Sequence, residues 1–231
     1  MISVVIPVFN GAAYVGQAIE SVLNQTPPPD EIVVVDDGSS DSTAEVVQRY
    51  PVQFHRQANQ GPGAARNLGI RESSGEFLAF LDADDLWLPD KLRLQKAAFD
   101  ESPQLDLVFC HMSQFRSPEL AVVENGDSVS YEIGQPSPLI SCLLARRAAM
   151  DRVGPLRTDL KAEFVDWYMR AREAGLPMRT LDVLLVKRRL HAGNFTLKHK
   201  DVRLEFLQTL KASLDRRRAN VNPQATTGRL P

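Results

Sequence analysis

The sequence predicts an α/β fold: a Rossmann-like, mixed and mainly parallel sheet flanked by helices, with a helical extension at the C-terminal end. Three observations predict it. Short β-branched runs alternate with amphipathic stretches from residue 2 to residue 112. One run, residues 31–36 (EIVVVD), is apolar almost throughout, as a strand buried on both faces of a parallel sheet must be. Acids or turn residues follow three of the runs at their carboxyl ends, where open parallel sheets bind ligands.

The elements follow in order. Residues 2–7 (ISVVIP) form a first strand, and Asn10-Gly11 turns the chain. Tyr14, Val15, Ala18, Ile19, Val22 and Leu23 recur at helical spacing until Pro27-Pro28-Pro29 stops the helix. After strand 31–36, Asp37-Gly38-Ser39-Ser40 turns, and Ser42 with Glu45 reads as a capping box. Residues 52–56 form a weaker strand, and 60–70 (QGPGAARNLGI) a glycine-rich turn into a helix. A strand at 77–82, a helix at 89–101 and a strand at 105–112 complete the first half. Residues 117–138 are polar, with Pro and Gly punctuation, and read as a loop or ribbon over the site. Residues 145–153 read as a short helix, and 163–174 as a helix closed by Gly175. A strand at 181–189 and a turn at 191–194 follow. A helix over 201–218 is expected to place Val202, Phe206, Leu207, Leu210 and Leu214 on one face, before a frayed tail at 219–231. The division is 1–112, then 113–198 as the second half of the same domain, then 199–231 as terminal helix and tail.

Composition narrows the function. At 231 residues and 43% hydrophobic the chain can bury a proper core. A net charge of −2 provides no global basic field, so nucleic acid is not the expected partner. Cys110 and Cys142 are too few for a disulfide framework and read as reduced, buried thiols of a cytoplasmic protein. The first residues, MISVVIPVFN, lack a basic region and read as a strand rather than a signal peptide. No apolar run approaches the roughly 20 residues that span a bilayer. Any membrane contact would be peripheral, at the inner face.

The chemistry centres on residues 77–89 (FLAFLDADDLWLP), where an apolar strand ends in Asp82, Asp84 and Asp85. Clustered carboxylates repel one another and lose hydration, a cost a hard cation offsets. Mg2+ or Mn2+, shared with a phosphate, suits oxygen ligands of this kind. The alternative is an acidic cap for the helix near Pro89. Residues 7–10, 36–38 and 82–85 all lie at strand ends and are expected to line one crevice.

SVVIPVFN, ESVLNQT, EIVVVDDGSSDST, NQGPGAARNLGI and GEFLAFLDADDLWLPDKL occur in this order. Together they resemble the nucleotide-sugar half of inverting family 2 glycosyltransferases, which have the GT-A fold. The resemblance is close over residues 2–95 and weaker through ARRAAMDRVGPL, EFVDWYMRAREAG and RRLHAGNFT. It implies a nucleoside diphosphate sugar as donor, UDP-linked in the first instance, and Mg2+ or Mn2+ as cofactor. It places Pro7, Phe9 and Asn10 at the base and ribose, with a core aromatic as the alternative for Phe9. Asp37 would accept a hydrogen bond from the base, or else form an Asx turn, while Asp36 caps the adjacent turn. Gly61, Gly63, Ala64 and Arg66 would close over the nucleotide, Arg66 neutralising a phosphate, or else making a salt bridge at a helix start. Asp82, Asp84 and Asp85 match the DxD signature. Asp84 is the leading metal ligand, with Asp82 or Asp85 as companions and His191 beside them; a satisfied loop histidine is the alternative.

One departure bears on catalysis. The family's base lies in a Glu-Asp pair opening a helix in the second half, and here the pair reads Glu163-Phe164. Glu163, then Asp166, is the expected base; the alternative is that both are first-turn acids complementing a helix dipole. Trp87 and Trp167 either stack on a sugar or pack. At most one of Arg188 and Arg189 is expected to face the site. A nucleotide-sugar-binding protein without transfer is the competing function, motivated by Phe164. A nucleotidyltransferase ranks last, because no basic residue follows strand one. The acceptor, whether glycan, lipid-linked or small molecule, has no code in the sequence. Arg216-Arg217-Arg218 on the terminal helix would serve a peripheral membrane or homodimer contact, or simply a solvated end.

Overall fold

The computed structural model describes residues 1–117, 131–135, 139–194 and 202–221. The sheet runs in the order β3 (Gln53–Arg56), β2 (Glu31–Asp36), β1 (Ile2–Val8), β4 (Phe77–Phe80), β8 (Leu144–Arg146), β6 (Leu107–Arg116), β9 (Met178–Leu190), β5 (Leu86–Trp87), with β7 (Tyr131–Gln135) pairing β6 off this path. The pairs β3–β2, β2–β1 and β1–β4 are parallel; β4–β8, β8–β6 and β9–β5 are antiparallel, and β6–β9 is parallel again. This is the mixed sheet that the alternating pattern predicts, parallel through its first half, with the β6–β7 pair antiparallel as well.

The helices are α1 (Val15–Leu23), α2 (Thr43–Val47), α3 (Pro62–Glu72), α4 (Lys91–Glu101), α5 (Arg147–Val153), α6 (Glu163–Glu173) and α7 (Val202–Val221). Strand β2 explains why its run is apolar on both sides. Val34 joins the main cluster with Val15 and Ile19 of α1, while Val33 and Val35 pack with Ala65 on α3. Gly69 lets α3 settle onto β1: a Cβ there would lie 2.3 Å from Cγ1 of Val5. The main cluster continues from β1 through Phe164 and Trp167 to Val186, so both halves share one core.

Four expectations need correcting. The capping box does not form, because Ser42 makes no side-chain cap bond; Asp41 instead accepts from the Thr43 N–H at 3.0 Å. The strand expected at 105–112 begins at Leu107 and runs on to Arg116, and the one at 181–189 is longer at both ends; the parallel pairing of these 10-residue and 13-residue strands with each other sustains the extensions. The three-residue β8 and two-residue β5 were too short to show a period. The terminal helix runs to Val221, and the expected apolar face is not buried at two of its positions: Leu207 and Leu214 are 61% and 52% exposed, Leu210 is half-buried, Thr209 and Ser213 are buried, and the side chains of Val202 and Phe206 lie outside the described residues. The reason is polar. Glu205 accepts from the N–H groups of Lys161 and Ala162 at the start of α6, and Ser213 and Arg216 donate to Glu173 near its end. A carboxylate at a helix N-terminus satisfies orphan donors there and suits the dipole. The ribbon expected over the site lies outside the described residues except for β7, as does the tail from 222 onward and the end of the RRLHAGNFT stretch.

Candidate active site

The three strand tips converge. Asp37 N–H donates to the Val8 carbonyl at 2.8 Å, and Asn10 exchanges bonds with Ser39 and Ser40. Gly11 approaches the acidic turn so closely that a Cβ on it would sit 3.8 Å from the Ala83 Cβ. Pro7 is buried at the end of β1, whereas Phe9 and Asn10 are exposed beyond it. Phe9, at 52% exposure, is therefore not a core aromatic. Asp36 is buried and its Oδ1 accepts from Ser39 N–H, the turn-capping task expected of it.

Asp37 is 3% exposed and already accepts three hydrogen bonds, from Gln57 Nε2 (2.7 Å), Gln60 N–H (2.9 Å) and Gly61 N–H (2.8 Å). Its carboxylate thus ties the end of β2 to the approach into α3. Gly61 caps that helix at φ 89°, a backbone conformation that glycine adopts without a steric penalty.

Arg66, one turn into α3, is buried between two acids. Its guanidinium donates to Asp82 Oδ1 at 2.5 Å and to Glu163 Oε1. Burial alone would favour loss of the proton; Asp82 and Glu163 outweigh it and hold the group above its ordinary pKa. Nε of Arg66 is buried with no hydrogen-bond partner. Gly63 makes the junction tight, since a Cβ would lie 2.5 Å from the Arg157 carbonyl and 3.2 Å from Glu163 Cγ. Glu163 opens α6, and burial pushes its carboxyl up while the Arg66 charge pulls it back down.

The neighbours of Glu163 face elsewhere. Phe164 stacks on Trp167 with centroids 5.9 Å apart, inside the core. Asp166 accepts from Arg170 Nε at 2.8 Å, and that arginine also binds the Val153 and Pro155 carbonyls. Both tryptophans pack: Trp87 donates to the Ser141 carbonyl and Trp167 to that of Gly154, at 4% and 0% exposure.

The acidic turn divides its labour. Asp85 points inward, accepting from Arg189 N–H (3.1 Å) and Ser141 Oγ (3.2 Å). Burial first, then the Asp82 and Asp84 charges, push its carboxyl well above the usual range. Asp84 is half-exposed, and its Oδ2 lies 2.9 Å from His191 Nε2 and 3.0 Å from Asn194 Nδ2. Among the described residues no group of three His, Cys, Asp or Glu side chains converges as a closed metal cage. Asp84 fits the other mode of binding Mg2+ or Mn2+, in which one or two carboxylates act with phosphates and water, and His191 Nε2 stands beside it.

Of the site residues read from sequence, the structure brings Asp82, Arg66 and Glu163 into one contact chain and Asp84 and His191 into another. Asp166 is tied to Arg170, and Asp85 to Arg189 N–H and Ser141. Sequence reasoning passed over Tyr14, whose ring centroid is 4.5 Å from that of His191, and Asn194, which it treated as turn punctuation. The HAGN spacing was the only signal for Asn194.

The chain resembles solved GT-A structures. Staphylococcus aureus TarS 1-349 in complex with UDP-GlcNAc superposes with a TM-score of 0.73 at 22% identity, over 92% of this chain and 65% of that one. The mannosyltransferase PcManGT from Pyrobaculum calidifontis, in complex with GDP-Man and Mn2+, gives 0.71 at 21% identity, over 93% and 64%. These likenesses show the fold. An uncharacterized glycosyltransferase from Nostoc is 37% identical over 174 residues, 67% of this chain and 53% of the relative. Another, from Rickettsia bellii, is 42% identical over 122 residues, 51% of this chain and 17% of the relative. The chain thus spans about half or less of the length of these curated relatives. The model of the family described as glycosyl transferase family 2 matches residues 3–123, more than half of the sequence, and the chain belongs to that family.

Proposed function

We propose that the chain transfers a sugar, with inversion, from a nucleoside diphosphate sugar to an acceptor hydroxyl, with Glu163 as the base. The observation that carries this reading is the Arg66 bridge, which sets Glu163 of the second half beside Asp82 at the strand tips. The donor would lie across Phe9, Asn10, Asp37 and Gly63, with its diphosphate toward Asp82 and Asp84. The unpartnered Arg66 Nε supports an anion or carbonyl acceptor arriving there, because a buried donor without a partner costs about 1–3 kcal/mol.

Asp84 and His191 would hold Mg2+ or Mn2+, which when bound offsets charge on the departing diphosphate. The chain's own residues do the rest. Glu163 takes the proton from the acceptor hydroxyl as that oxygen forms its bond to the anomeric carbon. The bond from that carbon to the diphosphate breaks, and its electron pair leaves with the nucleotide. A carboxyl raised by burial is a better base near neutrality than a surface glutamate. Arg66 moves with the reaction: as Glu163 gains the proton, the guanidinium is left to Asp82 and to the incoming anion.

Phe164 favours a second reading, in which nucleotide sugar binds but is not transferred, since no carboxylate stands at the position where relatives of this kind place one. Turnover of a panel of UDP- and GDP-sugars with and without Mn2+ separates the two. The expected result is hydrolysis or transfer with at least one donor, dependent on the cation. Tight nucleotide binding with no turnover across the panel leaves only the second reading.

A further inference from the structure

We infer that Arg189 is a positioning residue that holds Asp84 and His191 in register for the cation and diphosphate. Arg189 lies near the end of β9, and its side chain is buried at 4% exposure, far from any role the proposed chemistry assigns it. Its guanidinium is sandwiched between the rings of Tyr14 and Phe115, at 4.8 and 4.7 Å from their centroids. Nε donates to the Asp84 carbonyl at 3.0 Å, and Nη2 to Gln17 Oε1 at 2.6 Å. The main chain of the same residue works in parallel. Its N–H donates to Asp85 Oδ1 at 3.1 Å, and its carbonyl accepts from Asn194 Nδ2 at 3.0 Å. That amide nitrogen also reaches Asp84 Oδ2, the oxygen that contacts His191.

One residue therefore joins four pieces: the start of α1 through Tyr14 and Gln17, the acidic turn, the end of β6 through Phe115, and the histidine turn. The Asp84 carboxylate and the His191 ring come from places 107 residues apart and are tied through Asn194, which accepts from His191 N–H and donates to Asp84 Oδ2, while the Arg189 carbonyl fixes that Asn194 amide. The Tyr14 ring touches both Arg189 and His191, so sliding the guanidinium out would release the imidazole as well. The planar fork matters here. A lysine keeps the charge but cannot lie flat between two rings while donating to two acceptors in different directions. The acceptors that Arg189 uses are a carbonyl and an amide, so its charge is not cancelled by a carboxylate in direct hydrogen bond.

The inference rests on the nucleotide and cation reading above, and the test keeps the two apart. UDP and GDP are titrated calorimetrically into wild type and Arg189→Lys, each with and without Mn2+. Wild type is expected to bind at least one of them more tightly with Mn2+. Arg189→Lys should lose about tenfold or more of that Mn2+-dependent gain, as outer-shell partners of metal ligands typically cost when changed, with its metal-free affinity unchanged. Gln17→Met, on the exposed side of α1, should shift the same gain by a smaller factor, and it decides the matter if Arg189→Lys does not fold. A variant that keeps the full Mn2+-dependent gain overturns the inference, and so does equal loss with and without Mn2+, which marks a merely structural tie. A wild type with no Mn2+-dependent gain overturns the site reading itself, and this inference with it.

Discussion

The two halves of the molecule build the site in different ways. In the first, β1, β2 and β4 run parallel and deliver Asn10, Asp37 and Asp82 to one edge, each at the end of its own strand. In the second, the residues that face them come from distant turns: Glu163 meets Arg66 across 97 positions and Asn194 meets Asp84 across 110. A parallel sheet fixes where its strand tips go as soon as the strands pair. The second half depends on how α6, the β6–β9 ribbon and α7 dock. Its side chains are held by specific polar ties, so each can be tested separately.

The largest expected effect tests whether the second half contributes chemistry or only closure. Glu163→Gln keeps the volume and most hydrogen bonding but removes the base. The expected loss in kcat is about 10²–10⁴-fold, with nucleotide affinity little changed. Because burial raises the Glu163 carboxyl, wild-type kcat/KM should fall on the acid side from a higher pH than an ordinary glutamate gives, and Glu163→Gln should lack that limb. Asp166→Asn sharpens the contrast. Its carboxylate serves Arg170, so the expected result is a stability loss of about 1–3 kcal/mol with kcat nearly intact. A collapse of turnover in Asp166→Asn with Glu163→Gln active would reverse the assignment.

The next effect probes the seam between the halves. Lys91 of α4 is fully buried, 4.0 Å over the Trp87 ring, with Nζ donating to Gln95 Oε1. Burial pushes its ammonium down to about 8 from 10.5. The folded state thus gives up this proton at lower pH than the unfolded chain does. Between about pH 8 and 10.5 the unfolded state binds more protons, so this group's contribution to stability rises with pH across that window. Below it the buried charge carries its full penalty, an upper bound of about 3 kcal/mol by linkage. Lys91→Met should abolish this pH-dependent term, so the difference in unfolding free energy between wild type and variant should shift by up to that amount from pH 7.5 to 10. A difference that stays flat across the window would mean that the ring and Gln95 fully replace the lost hydration.

How much could be read beforehand follows the same division. The strand tips were legible because β-branched runs, glycine turns and acids follow one another locally, and EIVVVD fits only a strand covered on both faces. Asp82, Asp84 and His191 were legible as candidates, but their pairing was not, because the contact between Asp84 and His191 depends on the two-residue antiparallel pairing of β5 with β9, which lays the acidic turn beside the end of β9. Arg66 was legible as a charge near a helix start. Its two carboxylate partners were not, since one of them lies on α6. Asp85 reads from sequence as a companion ligand to Asp84; only the fold turns it inward to Ser141 and leaves Asp84 half-exposed beside His191. Ser141 and the short strands β5 and β8 had no period to reveal them.

The smallest expected effect concerns the terminal helix, where Leu207 and Leu214 of the expected apolar face are exposed. Ser213 is 2% exposed and donates to Glu173, while Leu214, the next residue, is 52% exposed. If α7 docks through its polar side, Leu214→Ser should change stability by no more than about 0.5 kcal/mol, as surface substitutions do. Ser213→Leu should cost about 1–3 kcal/mol, because the larger side chain overfills a packed contact and removes one of the donors to Glu173 Oε1, which keeps Arg216. Thermal melts of the two variants compare neighbours in sequence on opposite faces of one helix. Should Leu214→Ser prove the more damaging, the helix buries its leucines after all, and α6 loses the Glu205 carboxylate that caps its start beside Glu163.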